Sequence, residues 1–282
     1  QVHVAPLLLV SWLNKQHRSI LRGTGVNEFV LIGAAAIFGW ALTGLAVRAF
    51  SGARHRVVPN ERSMHKVPTR SGGGLAIVIA VALLWPLWHW PLTHTMQVVL
   101  GLTVFLAIVS WIDDYRQLWP LTRIAVQAVA VAIALTLMPE NARLLSALPF
   151  AAERVLLGLA WLWLINLTNF MDGIDGIAGS EAIMVTLGYV GVAAVAGLNS
   201  PMEPLALIIA GATAGYLVWN WHPARIFMGD VGSIPLGFLM GWLMLDLTGR
   251  GQIVAALILP LYFLADATTT LARRMMAGEK PW

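Results

Sequence analysis

The sequence predicts an all-α fold that crosses a membrane many times. Of its 282 residues, 58% are hydrophobic and only 11% are charged, whereas a soluble domain carries about 25% charged residues. Nine apolar stretches are long enough to cross, or nearly cross, a hydrocarbon core of about 30 Å. The chain has no cysteine, which excludes a disulfide framework and a Cys-based metal site. We therefore expect about nine to ten transmembrane helices surrounded by lipid.

The predicted spans form a single transmembrane domain over residues 28–282. Their approximate bounds are 28–50, 73–91, 95–112, 121–138, 152–168, 177–197, 203–220, 234–248 and 252–272. In residues 1–27 the apolar run Val4–Val10 is too short to span, and basic residues follow it instead of preceding it as in a signal peptide. We interpret residues 1–27 as an N-terminal extension or a non-native remnant.

The distribution of Lys and Arg assigns the loops to the two sides of the membrane. Loops after odd-numbered spans carry twelve of these residues, and loops after even-numbered spans carry three. Because basic residues accumulate in cytoplasmic loops, the odd-numbered loops are predicted to be cytoplasmic. These loops are 51–72, 113–120, 169–177, 220–233 and 273–282. The formal net charge of +4 is thereby explained without a nucleic-acid partner, and none is expected.

Five aspartates fall in three of the predicted cytoplasmic loops. They are Asp113, Asp114, Asp172, Asp175 and Asp230. Carboxylates beside apolar helices are costly unless they are paired or bind a metal, and carboxylate oxygens suit Mg²⁺. The pattern predicts a polar site at one membrane face, with ordinary loop charge as the alternative.

Glycine-containing motifs accompany these aspartates. Residues 59–74 read PNERSMHKVPTRSGGG, which is typical of a phosphate-handling loop or of a basic contact with anionic lipid. The three glycines allow a ligand or another helix to approach the backbone. Residues 166–179 read NLTNFMDGIDGIAG, which predicts a metal–phosphate or nucleotide site, or a helix-packing surface. Asp230, between two glycines before a helix, can point inward as a metal ligand.

Taken in order, the segments PNERSMHKVPT, GGG, IDD, NLTNFMDGIDGIAG and ARIFMGDVGS resemble the polyprenyl-phosphate sugar-1-phosphate transferases. The resemblance covers residues 28–282, and NFMDGIDG is more similar to the branch that starts O-antigen synthesis than to the peptidoglycan branch. It implies transfer of an N-acetylhexosamine 1-phosphate from a UDP-sugar to undecaprenyl phosphate, with release of UMP. It also implies Mg²⁺ or Mn²⁺ as the cofactor, a bacterial inner-membrane location, a cytoplasmic active site, a role in lipopolysaccharide synthesis and a homodimer.

The resemblance also implies roles for individual residues. Asp113, Asp114 and Asp172 would be catalytic, and Asp230 and Asn169 would bind the metal. The implied substrate contacts are Asp175, Asn220, Phe227, Asn60, Arg62, Ser63, His65 and Arg70. The chain departs from the family at PTRSGGG, where PTPRGGG is usual, so the contact of Arg70 is not fixed. The family's histidine-containing loop after the ninth span would follow Trp282, and no role is assigned to it.

Two other functions fit part of the pattern. A transporter would use membrane carboxylates, but its site is usually near the bilayer midplane between repeats. A CDP-alcohol phosphotransferase would need a different aspartate pattern, which the sequence does not contain. Within the transferase reading, direct attack by the lipid phosphate is favoured over a phospho-aspartate intermediate on Asp113 or Asp114.

Overall fold

The all-α prediction is confirmed by a computed structural model that describes residues 26–50, 56–57 (backbone only), 68–138 and 147–278. Within these ranges the helices are α1 Val26–Ala49, α2 Leu75–Trp88, α3 His94–Arg116, α4 Pro120–Thr136, α5 Phe150–Met171, α6 Ile177–Val195, α7 Glu203–Asn220, α8 Asp230–Gly249, α9 Ile253–Ile258 and α10 Leu261–Met276. The strands β1 Arg56–Val57 and β2 Thr69–Arg70 pair in antiparallel fashion.

The structure is that of a polytopic membrane protein. Five helices, α1, α3, α5, α6 and α8, are long and apolar enough to cross a membrane, and α2 and α4 are shorter apolar helices. Large hydrophobic side chains face outward on several of them, including Phe29, Ile37 and Val155, which are 62% exposed or more. Such faces suit lipid, which solvates apolar side chains without cost.

Three of the differences from the predicted spans bear on the helix count or on the site. The predicted ninth span is divided into α9 and α10 at Pro260, because proline lacks an N–H group and its ring obstructs the preceding turn. Helix α3 continues to Arg116, so Asp113 and Asp114 lie in its last turn rather than in a following loop. Helix α8 begins at Asp230, four residues before the predicted span starting at 234.

Helix α8 is the centre of the bundle. It packs against α2, α3, α5, α6 and α9, and every residue from Val231 to Leu245 is buried. The contact with α5 is close because a side chain at Gly241 would collide with the Trp161 ring. The Trp161 indole Nε1 also donates a hydrogen bond of 3.0 Å to the Phe238 carbonyl. This close packing brings the end of α5 beside the beginning of α8.

Candidate active site

Four helix ends meet at one end of the bundle and bring together six charged or amide side chains. The last turn of α3, the first turn of α4, the end of α5 and the start of α8 contribute them. We call this group the carboxylate cluster, and its members are Asp113, Asp114, Asp172, Asp230, Asn169 and Arg123. Four of the five predicted aspartates are therefore brought together, from three separate parts of the chain.

Asp113 is the buried member of the IDD pair. Its side chain is 5% exposed, and its Oδ1 accepts a hydrogen bond of 2.6 Å from the Leu118 backbone N–H. Its Oδ2 lies 2.6 Å from Nε of Arg123. Gln117, with a positive φ of 48°, reverses the chain between these partners. Asp113 therefore fixes the turn between α3 and α4 and orients Arg123.

Asp114 has a different environment from its neighbour. It is exposed, and its Oδ2 lies 3.4 Å from the Val231 backbone N–H in the first turn of α8. The N-terminal end of a helix favours a negative charge. Asp114 also lines an open cavity of about 490 Å³ with Tyr115, Arg116 and Gln117. Of the predicted catalytic pair, Asp114 is thus the one that a ligand can reach.

Asp230 and Asn169, the predicted metal ligands, are in direct contact. Nδ2 of Asn169 donates hydrogen bonds to Oδ1 of Asp230 at 2.6 Å and to Oγ of Ser233 at 2.9 Å. Oδ2 of Asp230 accepts from Nη2 of Arg123. Within the described ranges, no three His, Cys, Asp or Glu side chains form a ready metal-binding group. The donor types nevertheless fit Mg²⁺, which prefers carboxylate and amide carbonyl oxygens.

Arg123 was not among the residues predicted from the sequence to form the site. Its guanidinium lies between Asp113 and Asp230 and contacts both carboxylates. A signal was present, because a positive charge is disfavoured in the first turn of a helix, and Arg123 occupies that turn of the apolar helix α4. Such an arginine requires a nearby anion, but the sequence does not say which one.

Asp172 anchors the loop that leads into α8. Its Oδ1 and Oδ2 accept hydrogen bonds from the backbone N–H groups of Met228, at 3.2 Å, and Gly229, at 2.8 Å. The pKa of Asp172 is raised to about 8, chiefly by burial. The two N–H donors lower this pKa, whereas the Asp230 and Asp114 carboxylates raise it. The side chain predicted to be catalytic is therefore in a position to hold the Asp230 loop in place.

Asp175 is not a member of the carboxylate cluster and has partners of its own. Its Oδ2 lies 2.9 Å from Nδ1 of His222 and accepts a 3.0 Å hydrogen bond from the Ala224 N–H. It also lines an open cavity of about 370 Å³. The other residues that line this cavity are Gly176, Ile177, Ser180, Glu181, Met184, Trp221, His222 and Tyr262.

Two of the residues that the resemblance implies as uridine contacts, Asn220 and Phe227, are buried. Asn220 is 2% exposed; its Oδ1 accepts from the Gly176 N–H at 3.0 Å, and its Nδ2 donates to the Ile226 carbonyl at 2.9 Å. Phe227 is 4% exposed, so its ring is not at a surface where a base could stack. In this structure, Asn220 joins the Gly176 backbone to that of Ile226, and the Phe227 ring lies in the interior.

The glycine-rich segment supports the site through its backbone. The Gly73 and Gly74 N–H groups donate to the carbonyls of Phe227 and Met228, both at 2.9 Å, and the Phe227 N–H donates to the Arg70 carbonyl at 2.7 Å. The close approach predicted for these glycines is thus made by the loop before α8. Nε of Arg70 is buried with no hydrogen-bond partner among the described residues. Asn60, Arg62, Ser63 and His65 lie outside the described residues.

Comparison with known proteins gives a consistent set of relatives. A probable undecaprenyl-phosphate N-acetylglucosaminyl 1-phosphate transferase of Bacillus subtilis is 31% identical over 77% of this chain and 63% of its own length. A phospho-N-acetylmuramoyl-pentapeptide-transferase of Streptococcus pneumoniae is 31% identical over 62% and 58%. The chain thus spans about three-fifths of the length of these two relatives.

A third relative is matched over more of its length. The decaprenyl-phosphate N-acetylglucosaminephosphotransferase of Mycolicibacterium smegmatis is 30% identical over 92% of this chain and 73% of the relative. The profile of the family described as glycosyl transferase family 4 matches residues 96–248, a range that contains Asp113, Asp172 and Asp230. The chain therefore belongs to glycosyl transferase family 4.

Proposed function

We propose that this protein transfers an N-acetylhexosamine 1-phosphate from a UDP-sugar to undecaprenyl phosphate and releases UMP. One observation carries the proposal: the carboxylate cluster lies at a single end of a bundle whose outer faces suit lipid. A lipid-linked acceptor needs an apolar surface, and a diphosphate donor needs a polar opening beside it. The names of the B. subtilis and M. smegmatis relatives describe this kind of reaction.

The reaction balances as a transfer between phosphates. An oxygen of the lipid phosphate forms a bond to the β-phosphorus of the UDP-sugar, and the bond from that phosphorus to the bridging oxygen breaks. UMP leaves with the bridging oxygen, and the lipid retains a diphosphate linked to the sugar. Asp114, exposed beside the start of α8, is placed to orient the attacking phosphate or accept its proton.

The remaining residues of the cluster prepare the site. Asp172 holds the loop before α8 through two backbone N–H groups, which fixes the position of Asp230. The Asp230 carboxylate and the Asn169 side-chain carbonyl oxygen would hold Mg²⁺, or Mn²⁺ in its place. When bound, the metal would neutralise negative charge that develops on the transferring phosphate.

The donor nucleotide is proposed to enter through the cavity beside Asp175. This cavity opens at the turn that also carries Asp172, and the rings of Trp221 and Tyr262 line it with 60% exposure or more. An exposed aromatic ring can stack on a base at little conformational cost. Trp221 and Tyr262 are thus better placed than the buried Phe227 to contact uracil.

The finer parts of the proposal are the branch and the location. Because NFMDGIDG is similar to the O-antigen-initiating branch, we propose a role in lipopolysaccharide synthesis, with GlcNAc or a 6-deoxy amino sugar as the transferred group. The Lys and Arg distribution supports an active site on the cytoplasmic face of the bacterial inner membrane. A homodimer is proposed from the family resemblance alone.

UMP release tests the proposal directly. The complete protein in detergent is given undecaprenyl phosphate, Mg²⁺ and a panel of UDP-N-acetylhexosamines, with omission of the lipid and of the metal as controls. Release that requires both would support the transferase, and the panel would identify the sugar. The absence of release with every donor, from folded protein, would contradict it and favour the transporter, to be tested by flux in proteoliposomes.

A further inference from the structure

We infer that Arg123 is a built-in counter-ion of the carboxylate cluster and competes with a divalent cation for Asp230. The inference rests on the proposed function only in assuming that the cluster binds such a cation. It assigns a positioning role to a residue that neither the motifs nor the family resemblance indicated.

Arg123 contacts the Asp230 carboxylate, which is proposed to bind the metal. Nη2 of Arg123 contacts Oδ2 of Asp230, and Nδ2 of Asn169 takes Oδ1 of the same carboxylate. Both oxygens of Asp230 are thus engaged by donors of hydrogen bonds. A cation that binds through Oδ2 lies beside the positive charge of the Arg123 guanidinium, so each of the two cations weakens the binding of the other at this carboxylate.

Arg123 compensates negative charge between Asp113 and Asp230. The cluster contains four carboxylates, and Arg123 is the cation that pairs with two of them within the described ranges. Removing a charge from water without compensation is strongly destabilising. Arg123 therefore lowers the repulsion between Asp113 and Asp230, which lie against each other at the junction of α3 and α8.

The arginine can release Asp230 without leaving the site. Its Nε contacts Asp113 at 2.6 Å while a different nitrogen, Nη2, contacts Asp230. The side chain is 33% exposed, so the outer part of the guanidinium has room to turn. A lysine, whose charge is a single point, cannot divide its contacts in this way.

Direct binding of Mn²⁺ tests the competition. Free Mn²⁺ is measured by electron paramagnetic resonance during titration of the complete, metal-stripped protein in detergent. We expect Arg123→Gln to bind Mn²⁺ about tenfold more tightly than the wild type, and Arg123→Lys to fall between them. Asp230→Asn should weaken binding, which locates the measured site.

The matched control is Arg250→Gln, because Arg250 pairs with an aspartate at the opposite end of α8. The Mn²⁺ affinity of this variant should equal that of the wild type.

Each result has a defined meaning. Equal or weaker Mn²⁺ binding by Arg123→Gln would overturn the inference, since the arginine would then not compete with the metal. If Arg123→Gln does not fold, as judged by its melting transition without metal, Arg123→Lys decides: affinity no higher than that of the wild type would overturn the inference. UMP release that needs Mg²⁺ would leave the proposed function standing in either case, whereas failure of UMP release would contradict that function without changing the Mn²⁺ result.

Discussion

Helix α8 carries a half-buried aspartate near each end, and the two ends differ in how the negative charge is balanced. Asp230 and Asp246 are 16 residues apart, which is about 24 Å along a helix. Asp246 accepts hydrogen bonds from the Tyr189 hydroxyl at 2.5 Å and the Ser200 hydroxyl at 2.8 Å. Nε of Arg250 also donates a hydrogen bond to Asp246, at 2.8 Å. The charge of Asp246 is thus balanced by Arg250, and Glu203 joins the same network by accepting a 3.1 Å hydrogen bond from the Ser200 backbone N–H.

At the other end, negative charge is in excess. The cluster has four carboxyl groups, Arg123 contacts two of them, and Asp114 remains exposed. Buried carboxylates alone therefore do not mark a functional site in this protein. The distinguishing property is unbalanced charge beside an opening, which a cation and a phosphate can complete. Asp246 is in this view a structural residue that joins α6, α8 and the loop between α6 and α7.

The largest expected effect separates the two members of the IDD pair. Asp114→Asn should lower kcat by about 10²–10⁴-fold while the protein stays folded, because this exposed carboxylate is proposed to act on the lipid phosphate. Asp113→Asn should instead lower stability by about 1–3 kcal/mol, since it removes the charged partner of Arg123. Steady-state UMP release and thermal unfolding measure the two effects. Full kcat in Asp114→Asn would remove Asp114 from the chemistry.

A smaller effect is expected at the balanced end of α8. Asp246→Asn should lower the free energy of unfolding by about 1–3 kcal/mol, because it removes the charge that Arg250 pairs with. Thermal unfolding in detergent, with Ser200→Ala as a milder change in the same network, measures this loss. If stability were unchanged, the network would not have the structural role assigned to it.

A further expected effect is a dependence of stability on pH that originates at Asp172. Its pKa is raised from 3.8 to about 8 in the folded protein, so the folded state retains a proton that the unfolded state releases. The contribution is present below about pH 4 and is lost as pH rises towards about 8. The Tm of metal-free protein should therefore fall over this range, and Asp172→Asn should show less of the fall. An identical pH profile in the variant would contradict the assigned pKa.

The helices and the gathering of the aspartates could be predicted because they depend on local patterns. An apolar stretch of sufficient length predicts a helix in lipid. Because successive transmembrane helices cross in opposite directions, every second loop lies at the same membrane face. The partners of individual side chains could not be predicted, because they depend on packing between distant segments. Arg123 meets Asp230 across 107 positions of sequence, and Asn220 is buried because it joins Gly176 to Ile226.

The burial of Phe227 and the break at Pro260 illustrate the same limit. Phe227 belongs to a motif that suggested a base contact, but its backbone pairs with Arg70 and Gly73, which draws the residue into the interior. Pro260 lies within an apolar stretch long enough for one helix, and membrane helices often tolerate proline. In this chain two helices form instead, and the sequence alone does not distinguish these outcomes.

UMP release by two variants at opposite ends of α8 tests the central claim most directly. Asp230→Ala and Asp246→Asn are compared with the wild type, with undecaprenyl phosphate, Mg²⁺ and the preferred UDP-sugar, below the melting temperature of each protein. We predict that Asp230→Ala loses at least about a hundredfold in rate, whereas Asp246→Asn stays close to the wild type. Normal turnover in Asp230→Ala would contradict the assignment of the carboxylate cluster as the site of transfer.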